Sequence, residues 1–244
     1  MRKQGKNLLL DLGFETGNDL AHEELVDFME PEEYRDKAYK MLDGVHGIFE
    51  SLVEQIDDFA DRWNPNGFMV FPLGVHRTLG SLRLHVYPER DSKELQSDPE
   101  IHSHAWHLAS LVLGSGDYRD YTFALNDEPS RDSQTPHRVY KSRRGEDGVD
   151  YQTSDGTDVF PEITETRVIP PGQKHFIPAG LHHAPIHSKL PTSTIVLDSH
   201  AFSPLTEIVR PTVAAPPEQE MAIQRSSLTD RDILQAKSIL IQAN

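Results

Sequence analysis

Apolar and polar positions alternate in short runs over most of the chain after Asn64, and clusters of turn residues separate the runs. The clearest run is Leu82-Arg83-Leu84-His85-Val86-Tyr87, which places three aliphatic side chains on one face and the other three on the opposite face. We predict strands at 68–73, 82–87, 107–113, 119–125, 137–142, 149–153, 164–169, 173–178 and 193–198. Many short strands joined by frequent turns are typical of a mainly β fold, a single barrel or jelly roll.

Helical spacing replaces this alternation in the N-terminal part of the chain. Apolar residues recur three and four positions apart within residues 20–63, and Pro31 stands where a helix begins, followed by two glutamates. Gly44 and Gly47 predict a break between two helices. Residues 1–18 have no clear periodicity.

A second helix is predicted near the C-terminus. Thr229 and Asp232 have the spacing of a capping box, and the residues that follow have one apolar helical face. We therefore expect three regions: a helical segment over 1–63 that packs on the barrel, the barrel over 64–210 with a polar insertion near 126–158, and a linker with the C-terminal helix over 211–244.

Composition narrows the classes of function. The formal net charge is −15, which argues against binding of nucleic acid or an anionic membrane through a general basic surface. The chain has no cysteine, so thiolate metal sites, disulfides and cysteine nucleophiles are excluded. No signal peptide and no apolar run long enough to span a bilayer is recognised, and we expect a cytoplasmic protein.

Histidine is the residue type that indicates chemistry. Of the 13 histidines, 11 lie between His76 and His200. Because residues i and i+2 of a strand share a face, the pair His102 and His104 would present two imidazoles to one point. Neutral imidazoles bind Fe, Zn, Ni and Cu, although most isolated pairs of this kind are structural.

A second histidine segment carries a more specific pattern. Gly172, Pro178, Gly180 and His183 match the motif G-x5-P-x-G-x2-H. The glycines and the proline predict tight turns. This segment resembles the second motif of the cupin superfamily, and the resemblance implies that His183 begins the next strand with its side chain facing inward.

The first cupin motif is matched in part. His102 and His104 occupy its histidine positions, and Gly116 occupies its closing glycine. The leading glycine is absent, and Leu108 or Ala109 stands where the family has a glutamate ligand. The resemblance implies a cupin-type barrel with a divalent metal on His102, His104 and His183.

Within that superfamily, a three-histidine site without the glutamate resembles the cysteine dioxygenase and related thiol dioxygenase branch. The resemblance implies Fe(II), a small residue at the glutamate position, for which Ala109 is suited, and an arginine that pairs with a substrate carboxylate. Arg77 is similarly placed before the motif strands, and Arg83 is the second candidate. The expected function is a mononuclear non-haem iron oxygenase acting on a small anionic substrate, which includes thiols.

Other readings of the same residues stay open. The metal can instead be Zn, Ni or Mn in an isomerase, lyase or hydrolase, or the barrel can be a non-catalytic module that binds a small ligand. His187 has the parity to enter the barrel as a group beside the metal, and His107 would join only through a bulge. His182 is expected on the opposite face from His183. The expected partners are a small-molecule substrate and, by resemblance, a second copy of the chain.

Overall fold

The computed structural model describes residues 4–16, 29–59, 62–64, 66–89, 100–114, 116–145, 149–154, 156–187, 190–201, 205–212, 221–223 and 225–243. The helices in these ranges are α1 (Gln4–Asp11), α2 (Pro31–His46), α3 (Phe49–Val53) and α4 (Asp230–Gln242), and a 3-10 turn covers Ile56–Phe59. The strands are β1 (Phe14–Glu15), β2 (Arg62–Asn64), β3 (Phe68–His76), β4 (Gly80–Tyr87), β5 (Ile101–His102), β6 (Leu108–Gly114), β7 (Tyr118–Asn126), β8 (His137–Arg144), β9 (Asp150–Thr153), β10 (Asp158–Ile169), β11 (Lys174–Ile177), β12 (His182–His187), β13 (Thr192–Asp198), β14 (Thr206–Pro211) and β15 (Met221–Ile223).

Among the described residues, the strands form two antiparallel sheets. The first has the order β1-β3-β4-β13-β6-β11, with β2 paired to β3, and the second has the order β10-β7-β12-β5-β14-β8-β9-β15. Side chains from both sheets meet in one buried cluster, in which Phe68, Val70 and Val112 of the first contact Tyr118 and Ile169 of the second. The fold is a cupin-like β-sandwich with helices before and after it, as the sequence predicted.

The largest apolar cluster lies between the helices and the outer face of the first sheet. Its aliphatic members on β4 are Leu82, Leu84 and Val86, which the alternation had placed on one face. Tyr34 of α2 is 1% exposed, and its hydroxyl lies 3.0 Å from the carbonyl oxygen of Leu197. The helices therefore cover this sheet and leave its opposite face to the interior of the sandwich.

Most predicted strands are confirmed within a few residues. The long strand β10 begins at Asp158, earlier than the predicted 164. The helical region is shorter than predicted, because Arg62–Asn64 form a strand against β3. Gly47 ends α2 as predicted, whereas Gly44 lies inside that helix. Residues 20–28 and most of the predicted linker, 213–220, lie outside the described residues.

The polar insertion over 126–158 contributes the antiparallel strands β8 and β9 to the second sheet. Strands β8 and β9 pair with each other, and β8 also pairs with β14 and with the start of β10. These pairings close the second sheet over a small apolar core of Ile101, Val159, Ala184 and Val209. Tyr140 of β8 is 1% exposed. The many charged residues of the segment do not indicate from composition alone that one face of it is buried.

Candidate metal centre

The two histidine segments meet through direct strand pairing. Strand β12 pairs with β5, and His183 stands opposite His102 in the register. His104 follows β5 by two residues. One potential ligand atom from each of these three side chains lies within 4.8 Å of the other two. The structure thus brings together the three histidines that the motifs singled out, from positions about 80 residues apart in the sequence.

The turn before β12 helps to place this cluster. Gly180 has a φ of +80°, a left-handed conformation that glycine adopts without a steric penalty. In that turn the Gly180 N–H donates a hydrogen bond of 2.8 Å to the carbonyl oxygen of His104. The turn of the second motif is therefore hydrogen-bonded to the backbone of the first, and this contact fixes the position of one histidine segment relative to the other.

The three rings face one another closely. The ring centroid of His102 lies 4.5 Å from that of His183 and 4.9 Å from that of His104. The Nε2 atoms of His104 and His183 are 3.0 Å apart. Two nitrogen ligands at roughly 2.0–2.1 Å from one ion are separated by about 3 Å when the angle between them is near 90°. The spacing fits a shared metal ion.

Hydrogen bonds on the far side of two rings set their orientation. His183 Nδ1 lies 2.8 Å from Oδ1 of Asp120, and both side chains are buried. His102 Nδ1 lies 3.0 Å from the carbonyl oxygen of Glu100. When Nδ1–H donates in each case, Nε2 carries the free lone pair that a metal requires. The donor set therefore fits a divalent metal in chemistry as well as in spacing.

Burial keeps two of the three clustered imidazoles, those of His104 and His183, neutral. Desolvation is the largest cause that lowers the pKa of His104 and of His183 well below its usual value, and the neighbouring imidazoles lower both further. Desolvation also raises the pKa of Asp120 to about 6. Neutral imidazoles are the form that binds metals, so the environment favours coordination over protonation.

Asp120 was not singled out in the sequence. It lies on β7 between Tyr118 and Thr122, and all three side chains are buried. The signal available was an acidic residue at an inward position of a predicted strand. That signal indicates a partner for His183 only when β7 is known to pair with β12, the strand that carries His183.

The two candidate arginines lie in different surroundings. Arg83 extends from the inner face of β4, where its charge lowers the pKa of His104 and its Nη1 lies 2.9 Å from Oδ2 of Asp198. Its side chain is 30% exposed, whereas that of Asp198 is 4% exposed. Arg77 lies in the exposed turn between β3 and β4. Of the two, Arg83 is therefore the candidate whose charge acts on a ring of the histidine cluster.

Three other histidines lie in different environments. His107 is buried against Tyr34 under the helices, and its Nδ1 accepts a hydrogen bond of 2.9 Å from the Ala179 N–H. His182 lies 3.0 Å from Glu207 through Nε2, on the opposite side of β12 from His183. The structure does not bring either of them into the cluster. His187 is in β12, but its side chain lies outside what the structure describes.

The prediction that Ala109 is the small residue at the glutamate position, facing the metal site, is wrong. Ala109 belongs to the apolar cluster beneath the helices, so it faces away from the histidines. Leu108 packs with Ile177 and Val196 and is the inward-facing residue of the two. Neither supplies a carboxylate. The alternation of β6, whose strand begins at Leu108, decides which of the two positions faces inward.

One further polar pair lies in the interior near Asp120. Ser110 and His175 are opposite each other on β6 and β11, and Oγ lies 2.7 Å from Nδ1. His175 is 5% exposed, and burial is the largest cause that lowers its pKa, to about 4. The interior therefore contains a further neutral histidine, His175, in addition to those of the cluster.

Comparison with known proteins gives distant likenesses only. No protein-family model matches the chain, and no curated protein matches it. Among solved structures, an oxalate oxidase in complex with the substrate analogue glycolate matches with 15% identity over 59% of this chain and a TM-score of 0.29. The chain spans 55% of that oxalate oxidase chain.

Two further solved structures cover more of the chain. A structure described as the DMSP lyases RdDddP and RnDddQII matches with 12% identity over 92% of this chain and 100% of the other, with a TM-score of 0.29. FeII HppE matches with 10% identity over 80% of this chain and 97% of the other, with a TM-score of 0.27. None of these likenesses assigns the chain to a family.

Among the described helices, none has the length and apolar character to cross a membrane.

Proposed function

We propose that this chain is a metal-dependent enzyme, a mononuclear non-haem iron oxygenase that acts on a small anionic substrate. The single observation that carries the proposal is the convergence of His102, His104 and His183, whose potential ligand atoms lie within 4.8 Å of one another. A facial set of three ligands leaves other coordination positions of a six-coordinate ion for substrate and oxygen. When bound, Fe(II) supplies the one-electron and O₂ chemistry that protein side chains lack.

The charge of the ligand set supports an anionic substrate. Three imidazoles are neutral, so a divalent ion bound by them keeps its full charge, whereas a carboxylate ligand would cancel part of it. Leu108 and Ala109, at the position where a glutamate would bind, are both apolar. An anionic ligand therefore gains more from this centre than from a centre with an acidic ligand.

Arg83 is the residue that we assign to the substrate. Its charge lowers the pKa of His104, its side chain is 30% exposed, and its Nη1 lies 2.9 Å from Oδ2 of Asp198. Arginine has five N–H donors in a planar fork, so the remaining donors are suited to a carboxylate. Arg77, in its exposed turn, remains the alternative anchor. A substrate that carries a thiol as well as a carboxylate is the narrower form of this proposal.

Asp120 has a positioning role in this scheme. Its carboxylate accepts the Nδ1 proton of His183 and so keeps Nε2 of that ring directed at the site. Outer partners of this kind commonly change metal affinity by about 10–100-fold when they are removed. The burial of both side chains means that water does not replace the contact.

The test combines metal content with oxygen consumption. Protein purified without added metal is analysed for bound elements, then loaded anaerobically with Fe(II) and mixed with O₂ and a panel of small thiols and carboxylic acids. We expect one equivalent of iron per chain and oxygen uptake with at least one compound in the panel. Bound iron without uptake of oxygen for any compound would overturn the oxygenase, and tight Zn, Ni or Mn would favour a Lewis-acid enzyme instead.

A neighbouring pair of histidines supplies the matched variants. His183→Gln removes a proposed ligand and is expected to abolish stoichiometric metal binding. His182→Gln changes the adjacent residue, whose ring contacts Glu207 on the other side of the strand, and is expected to leave metal content unchanged. Equal metal binding by both variants would contradict the assignment of the site.

A further inference from the structure

The polar insertion is connected to the histidine cluster through one arginine. Arg210 lies on β14, the strand that pairs with both β5 and β8. In the β5–β14 register, Ile208 stands opposite His102 and Val209 opposite Ile101. Arg210 therefore lies beside the residue that precedes β5, which is Glu100.

Arg210 uses three donors in two directions. Its Nε and Nη2 atoms lie 2.9 Å and 2.6 Å from Oε1 of Glu100, and its Nη1 lies 2.8 Å from Oε1 of Gln152. Gln152 belongs to β9 of the insertion and is 2% exposed. The guanidinium carbon also lies 5.7 Å from the centre of the Tyr140 ring on β8. The arginine thus joins both strands of the insertion to Glu100.

Glu100 in turn contacts a proposed metal ligand through its backbone. Its carbonyl oxygen lies 3.0 Å from Nδ1 of His102, and this contact selects the ring form with the proton on Nδ1. Rotation of the Glu100 peptide would move this acceptor away from the ring. Fixing the Glu100 side chain therefore limits the orientations open to His102.

The geometry points to Arg210 as a positioning residue for His102, and to the insertion as the support that holds Arg210 in place. This inference rests on the metal site of the proposed function, but the contacts from Arg210 to His102 exist without any metal. The Arg210 and Glu100 side chains are 22% and 23% exposed, so water screens their ion pair less than it screens one at the open surface. Hydrogen bonds between two charged groups are also stronger than neutral ones.

The chain offers a matched control on the adjacent strand. Arg138 of β8 stands opposite Arg210 in the register and forms its own ion pair, with 3.1 Å from Nη2 to Oδ1 of Asp158. This ion pair leads to the start of β10 and not to His102. Arg210→Gln and Arg138→Gln therefore remove the same charge from neighbouring positions of one sheet.

The first measurement is the ring form of His102 in metal-free protein, read from nitrogen chemical shifts in NMR spectra at alkaline pH. We expect the wild type and Arg138→Gln to show a single form protonated on Nδ1. Arg210→Gln is expected to show a mixture of the two neutral forms. The same result is expected for Glu100→Ala, which removes the anchor without altering β14 and serves if Arg210→Gln does not fold.

The second measurement is metal affinity by competition with a chelator. We expect Arg210→Gln to bind Fe(II) or Zn(II) about 10-fold or more weakly than wild type, in line with other residues that orient ligands. Arg210→Lys keeps the charge but not the planar fork, and is expected to recover part of the loss. Unchanged ring form and affinity in Arg210→Gln, or equal changes in Arg138→Gln, would overturn the inference.

The two measurements separate this inference from the proposed function. If the wild type binds no divalent metal but Arg210→Gln still changes the ring form of His102, the enzyme proposal fails and the positioning role stands. If the wild type binds metal and Arg210→Gln changes neither the ring form of His102 nor the metal affinity, the positioning role fails and the metal site of the proposed function stands.

Discussion

At the scale of single residues, burial is the dominant influence on the chemistry of the interior. His104, His175 and His183 all have their pKa lowered, and desolvation is the largest cause for each. A low-dielectric surrounding disfavours the charged imidazolium, so these rings stay neutral. Asp120 contributes in the opposite direction because burial disfavours its carboxylate and raises its pKa to about 6.

This burial predicts a loss of stability in acid. An unfolded histidine binds a proton below its ordinary pKa of 6.5, whereas native His175 does so only near 4. The unfolded state therefore binds more protons between these values, and stability falls as the pH drops through that range, by up to about 1.4 kcal/mol per pH unit for each such histidine. Asp120 takes up its proton in the native state below about pH 6 and offsets part of the loss.

The measurement is urea unfolding of metal-free protein at a series of pH values from neutral to mildly acidic. We expect His175→Gln to be less stable than the wild type but to lose stability more slowly as the pH falls. His137→Gln, which removes an imidazole outside the barrel interior, is expected to keep the wild-type slope. Parallel slopes for His175→Gln and the wild type would contradict the neutral state of His175.

At the scale of elements, local sequence signals account for several of the helix and strand ends. The N-terminus of α4 is an example, because Thr229 and Asp232 satisfy each other's backbone N–H groups, at 3.3 Å for Asp232 N–H to Thr229 Oγ1 and 2.8 Å for Thr229 N–H to Asp232 Oδ2. The same contact lowers the pKa of Asp232. The helix then buries Ala236, Ile239 and Leu240.

Removal of this cap has a predictable cost. Thr229→Ala is expected to destabilise the protein by about 1 kcal/mol, which corresponds to a decrease in Tm of roughly 2–4 °C for a chain of this size. Ser238→Ala replaces an exposed hydroxyl within the same helix and is expected to leave Tm nearly unchanged or slightly higher. Differential scanning calorimetry distinguishes the two, and an equal shift in both variants would argue against the cap.

At the scale of the whole molecule, the helices and the first sheet share one apolar cluster. Residues of all four described helices and of five strands, β1, β3, β4, β6 and β13, belong to it. The opposite face of the same sheet carries Arg83, whose charge lowers the pKa of His104 in the histidine cluster. Loss of helix packing is therefore expected to affect the site, although no helix residue is a proposed ligand.

A substitution in this cluster tests the coupling. Leu42 of α2 is fully buried, and Leu42→Ala is expected to cost about 2–5 kcal/mol. In a Trp63→Phe background, which leaves Trp106 as the single tryptophan, helix content by circular dichroism and the fluorescence of Trp106 are expected to change in one coincident transition. The Trp106 ring lies 5.3 Å from that of His104. Leu234→Ala, at a 67% exposed position of α4, is expected to stay within about 0.5 kcal/mol of the wild type. Separate transitions for helix and barrel would contradict a shared core.

Much of the fold and part of the site could be predicted from the sequence, because the relevant signals are local. The alternation over 82–87 assigns both faces of β4, and Gly180 marks a turn that requires a positive φ. The spacing of His102 and His104 and the pattern that ends at His183 are also contained within short segments. Such patterns follow from the two-residue repeat of strands and the steric limits of the backbone.

The remaining features depend on which distant strands become neighbours. Asp120 acquires its role only when β7 pairs with β12, and Ala109 loses its expected role because β6 turns that side chain toward the helices. Arg210 reaches Glu100 across 110 positions of sequence. Pairing between remote strands is decided by packing of the whole chain, which composition and periodicity do not encode. The sequence by itself thus determined the strands, turns and histidine pattern, and only the tertiary structure decided which polar side chains surround the histidines.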